Sequence, residues 1–170
     1  MKRPPLMVVF VAVAMVALGE TSGALLSQFR PSTQAWARAR VAANPQAHGL
    51  AGSAEYDDEV ASQAVFATEA GLSFLHTHAE GLGLVVFFAG TLVASVVAGR
   101  RARALLQALL AVGGLFPLGY LVYALAVPLR GRNAGVALAE TWVLTPLGSA
   151  AILALLGLVA ALAKARRHGR

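Results

Sequence analysis

Four long apolar runs dominate the pattern along this chain: Leu6 to about Leu26, about Leu72 to Ala98, Ala104 to about Leu129, and about Thr141 to Ala163. Charged or polar stretches bound each of them, and none shows the period-2 alternation of a barrel strand. A helix needs about 20 residues to cross about 30 Å of hydrocarbon, and each run is long enough. In lipid, backbone N–H and C=O groups must be satisfied within the segment, so each run is expected to be helical. The pattern predicts an all-α integral membrane bundle of four transmembrane helices, a single membrane domain over residues 1–170, with one exterior loop over about 27–71 that is partly helical.

The first run admits a second reading. Met1-Lys2-Arg3 ahead of an apolar stretch is also the shape of a secretory leader, and Ser22-Gly23-Ala24 offers small residues for cleavage. Ala24-Leu25-Leu26 prolongs the apolar run to span length, which favours a retained anchor. Cleavage leaves three spans with the other orientations unchanged.

In the loop, Arg30-Pro31-Ser32-Thr33 is expected to break the first helix and then cap a short one over 34–43, with Trp36 at the interface. Asn44-Pro45 and the stretch from His48 to Ser53 read as loop. From Ala54 the sequence favours a helix, with Glu55, Asp57, Asp58 and Glu59 near a start whose dipole favours negative charge. This helix is expected to run on into the second span, with Gly71, Gly81 and Gly83 as weak points. In the third run Gly113-Gly114, Pro117 and Gly119 predict a kink at or before Pro117. Gly90, Ala94 and Ala98 form a small-residue row of the kind that lets helices approach closely in lipid, for partner membrane helices or a second copy; Gly157 and Ala161 repeat it on the fourth span.

Composition agrees with the pattern. The chain is 58% apolar and 13% charged, with a mean hydropathy of +0.68, whereas soluble domains carry about 25% charged residues. The net charge of +6 is spread over the ends of the apolar runs and does not form one patch, so nucleic acid is not an expected partner. The Lys and Arg distribution sets the orientation. Lys2, Arg3, Arg100, Arg101, Arg103, Lys164, Arg166, Arg167 and Arg170 fall on one side; Arg30, Arg38, Arg40, Arg130 and Arg132 fall on the other. The richer side is cytoplasmic, which places both termini inside a bacterial inner membrane. There are no cysteines, which removes disulfide and thiolate chemistry.

Candidate chemistry gathers at the outer ends of the spans. Polar residues within a span are costly and point to function. Glu20 lies about 21 Å along the first helix and Glu80 about 27 Å up the second. Tyr120 and Tyr123 reach the same level, and the fourth span enters with Glu140, Thr141, Trp142 and Thr145. On a helix His76 and Glu80 share a face, with Glu69 about two turns earlier. His78 lies about 200° from His76, so on a helix the two histidines address different neighbours and cannot share one ion.

His76, Glu80, Glu20 and Glu140 are therefore candidate metal ligands, and His76 and His78 candidate cofactor ligands, for a transition metal ion or haem. His48 is the one exterior histidine available as a second haem ligand. His168, in the basic tail, reads as solvated. The Arg130-Gly131-Arg132-Asn133 turn has Glu140 or a lipid phosphate as expected partners. Two other functions fit the same residues: a non-catalytic accessory or assembly subunit, and a small proton-coupled transporter using Glu20 and His76. No phosphate loop, nucleophile elbow or zinc-protease helix occurs.

Overall fold

The computed structural model describes residues 2–168, and the side chains of 2–167; Arg170 and the His168 side chain, both read above, lie outside the described residues. Among those residues there is no strand. Helix α1 spans Leu6–Ala43, α2 Pro45–His48, α3 Ala54–Val96, α4 Arg100–Gly113, α5 Leu118–Arg130, α6 Arg132–Ala139 and α7 Thr145–His168, with a π-helical turn at Glu140–Leu144 between α6 and α7. Four helical stretches, 6–43, 54–96, 100–130 and 132–167, are long and apolar enough to cross a membrane.

Helices α1 and α3 form a long antiparallel pair. The backbone N–H of Lys2 donates to Ser95 Oγ at 3.1 Å, tying the start of α1 to the end of α3. We call this the terminal end and the opposite one, with residues 44–53, the loop end. The core at the terminal end joins Val8, Ala12, Val86, Ala89, Val93, Leu110, Ala154 and Leu158, so α1 is built into the bundle. Further along, Val11, Met15, Leu75 and Ala79 pack together, and near the loop end Val41, Ala64, Ala67 and Val127 do so. Large apolar side chains such as Phe10, Phe88, Ile152, Leu156 and Val159 stay exposed along the sides, as expected of a surface that meets lipid.

The partly helical segment between the first two apolar runs contains the helices expected over 34–43 and from Ala54, but the first of them is continuous with α1. Arg30-Pro31 does not end α1. The chain bends at Phe29 (φ −111, ψ 20) and continues to Ala43. Pro31 has no N–H to donate, and the bend relieves its ring; the Thr33 hydroxyl donates to the Phe29 carbonyl at 3.2 Å. Helix α3 starts at Ala54 and runs unbroken through Gly71, Gly81 and Gly83. The extensions of α1 and α3 are cross-linked by Arg38 to Asp58 at 2.7 Å and to Ser62 at 3.1 Å.

The other prolines act locally. At Pro117 the helix is interrupted over 114–117 and tightens to i→i−3 bonds, such as Phe116 N–H to the Gly113 carbonyl at 3.0 Å, so the expected kink is an interruption between α4 and α5. Pro128 deprives the Ala124 carbonyl of its helical donor, and the buried Thr68 hydroxyl of α3 donates there at 3.2 Å while also serving Ala64 at 3.0 Å. The π turn sits just before Pro146: Thr145 N–H reaches back to Glu140.

Small residues set helix spacing. Gly113 lies directly on the backbone of Ala151, joining α4 to α7, and Gly157 abuts Leu106. Gly90 and Ala94 are buried, and Gly90 faces Val8 and Gln107 of the same chain; Ala98 is exposed.

Candidate functional site

The His76 ring leans from α3 onto α1, where glycines leave room for it. A methyl group at Gly23 would meet the imidazole at 2.7 Å, and one at Gly19 would meet the Glu80 side chain at 3.0 Å. The ring's Nδ1 lies 2.9 Å from the Gly19 carbonyl and 2.7 Å from Glu80 Oε1 one turn further along α3. A carbonyl only accepts, so Nδ1 carries the proton, a tautomer assigned from this partner. Glu80 Oε1 is close enough for an ion pair but off the N–H direction, and it has no aligned hydrogen bond among the described residues. A buried carboxylate oxygen without a donor is costly, and the His76 ring is the polar group beside this one.

Neutral His76 therefore keeps its lone pair on Nε2. The ring borders a groove of about 490 Å³ lined also by Gly23, Ser27, Arg30, Glu69 and Ser73. At the loop end of this groove Glu69 accepts from Arg30 Nε at 2.7 Å, from Arg30 Nη2 at 3.0 Å and from Gln34 Nε2 at 2.8 Å. The guanidinium bond holds the Glu69 carboxyl below its ordinary value; burial opposes this and Gln34 assists. Glu69 raises Arg30 in turn, first through the hydrogen bond and then through its charge. This three-residue clasp fixes the bend at Phe29.

His78 faces elsewhere, as expected of a continuous helix. Its Nδ1 donates to the Phe74 carbonyl at 2.9 Å. Its ring lies 4.7 Å from that of Tyr120 and 6.0 Å from those of Phe74 and Phe116, a cluster joining α3 to the 114–117 turn and α5.

The other candidates do not join the pair. Glu20 and Glu140 are both exposed. Among the described residues no group of three or more His, Asp or Glu is placed to hold a metal ion. His48 Nε2 donates to the Pro128 carbonyl at 3.0 Å, and no ion pair forms between Glu140 and Arg130 or Arg132. Sequence reasoning missed Gly19, Gly23 and the Arg30–Glu69 clasp. The signal for the glycines was present as Gly19-x-x-x-Gly23, a small-residue row on α1.

No protein-family model matches this chain, and no curated protein or solved structure matches it.

Proposed function

We propose that this is a multi-pass protein of the bacterial inner membrane, with both termini cytoplasmic, that binds and releases a proton at His76–Glu80 during proton-coupled transport. The loop end faces outward, and the groove beside His76 is the route from that side. One observation carries the reading: Nδ1 is committed to Gly19, Nε2 is the open basic nitrogen, and a carboxylate lies 2.7 Å from the ring. A proton arriving at Nε2 makes an imidazolium whose charge Glu80 offsets in place, and histidine is the side chain suited to such cycling near neutral pH. Ionisable residues within spans commonly mark proton relays. Glu20, exposed and without contact to the pair, has no part in this step.

The test is proton flux in liposomes that entrap a pH-sensitive dye. The native chain should carry flux under an imposed gradient, His76→Gln and Glu80→Gln should abolish it, and Glu55→Gln should leave it unchanged. Native flux in His76→Gln would refute the assignment.

A second observation favours a metal or haem ligand. Both His76 and His78 bond a backbone carbonyl through Nδ1, which orients each ring with Nε2 available, as ligating histidines are usually held. His76 and Glu80 supply two ligands, and the rest of the shell would come from water or another chain. An optical spectrum and elemental analysis of the purified chain decide this: a Soret band or stoichiometric metal supports it, and neither rejects it.

A further inference from the structure

We propose that a cleft at the loop end, built around Arg130 and Arg132, binds a phosphate monoester. This site is separate from His76–Glu80 and does not rest on the function given to that pair.

The cleft has a volume of about 530 Å³ and lies between α2, the start of α3 and the α5–α6 turn. Arg130 and Arg132 line it, and no Asp or Glu does. Of the five loop-end arginines, Arg40 makes no ion pair among the described residues and lies outside the cleft. Arg30 and Arg38 are spent on Glu69 and Asp58, whereas Arg130 and Arg132 make no ion pair among the described residues. Two carboxylates stand near the cleft without lining it: Glu59 accepts from the lining residue Gln63 at 3.2 Å, and Asp57 adjoins the lining residue Tyr56. The walls themselves carry two guanidinium groups and no carboxylate.

The turn that carries these arginines is fixed before any ligand arrives. Gly131 has φ +82 and is pressed against the Ala47 carbonyl, so no side chain fits there. His48 holds the Pro128 carbonyl at 3.0 Å. On the facing rim, Asp57 takes the N–H groups of Ala51 and Gly52 at 3.0 and 3.1 Å. Such preorganisation lowers the ordering cost of binding.

Charge and size choose the ligand class. Two guanidinium groups match a phosphate monoester, which carries about −1.5 to −2 at neutral pH, and arginine forks bind phosphate oxygens in a bidentate way. A carboxylate leaves one guanidinium unmatched. The volume exceeds a bare phosphate and leaves room for the organic part against Tyr56 and Val60, which also line the cleft. A soluble ester and a lipid with a monoester headgroup both present this chemistry.

The test uses the full chain in detergent, titrated calorimetrically with glycerol 3-phosphate and, by native mass spectrometry, with phosphatidic acid. At least one should bind at 1:1, and the Arg130→Gln/Arg132→Gln double variant should weaken it at least about tenfold. Arg40→Gln, which removes an exposed arginine outside the cleft, should have no such effect. Binding of glycerol 3-phosphate identifies a soluble ligand; binding of phosphatidic acid alone identifies a lipid. Failure of both probes overturns the proposal, as does undiminished binding by the double variant, equal loss in Arg40→Gln, or equally tight binding of acetate.

Discussion

At the scale of single residues, His76 is held by a neighbour on its own helix and by the backbone of another. Glycine at position 23 is what lets the ring sit against α1. Gly23→Ala should displace the imidazole and cost about 1–3 kcal/mol through overpacking. Gly81, which faces open space, gives the opposite result: Gly81→Ala should stabilise by about 0.5–1 kcal/mol, the usual helix-interior gain. Unfolding of both variants in detergent checks the sign of each.

The Arg30–Glu69 clasp adds a pH dependence. The Glu69 carboxyl is held below its ordinary value by Arg30, so its contribution is fully present above the unfolded value of 4.5. It is lost as pH falls below that and through the folded value. Hydrogen-exchange protection around Phe29, taken relative to the intrinsic amide rate at each pH, should therefore fall on acidification below about pH 4.5, and in Glu69→Gln this acid-dependent loss should be absent. The His76–Glu80 contact was legible in the sequence because both residues are on one helix, where a spacing of four decides the face. Gly19 and Gly23 were not, because their role depends on the register between two helices. Glu20 drew attention as a charge, yet its neutral neighbour Gly19 supplies the contact.

At the scale of elements, proline placement explains where helices bend and how each freed carbonyl is treated. The sequence marks each proline but not the distant group that answers it. Arg30-Pro31 was read as a stop because proline lacks a donor, and the helix nonetheless continues because the clasp and Thr33 hold both sides of the bend. Pro128 shows the same logic across helices. Thr68→Val removes the donor to the Ala124 carbonyl and should cost about 1–3 kcal/mol. Pro128→Ala restores the missing N–H within α5, so Thr68→Val should cost less in that background. A double-mutant cycle with zero coupling would show that the cross-helix bond is unimportant.

At the scale of the whole molecule, the helix lengths carry the architecture. At 1.5 Å per residue α1 and α3 are about 57 and 65 Å long, about twice the hydrocarbon thickness. Their apolar halves lie toward the terminal end and their polar halves toward the loop end, where the ion pairs cluster. The four long apolar helical stretches and the length of the second were legible from apolar runs alone. The helices over 34–43 and from Ala54 were legible as well; their pairing was not, because the contacts that join them, such as Val41 with Ala64 and Ala67 and Arg38 with Asp58, link segments far apart in sequence.

Side-specific labelling tests most directly whether the groove beside His76 opens outward. The chain contains no cysteine, so single cysteines can be introduced without background. Ser73 lines the groove, and Ala102 lies exposed near the start of α4 at the terminal end. In intact cells, an impermeant thiol reagent added outside should block Ser73→Cys and leave Ala102→Cys reactive only after the membrane is opened. Labelling of Ala102→Cys from outside, with Ser73→Cys protected until lysis, would contradict it.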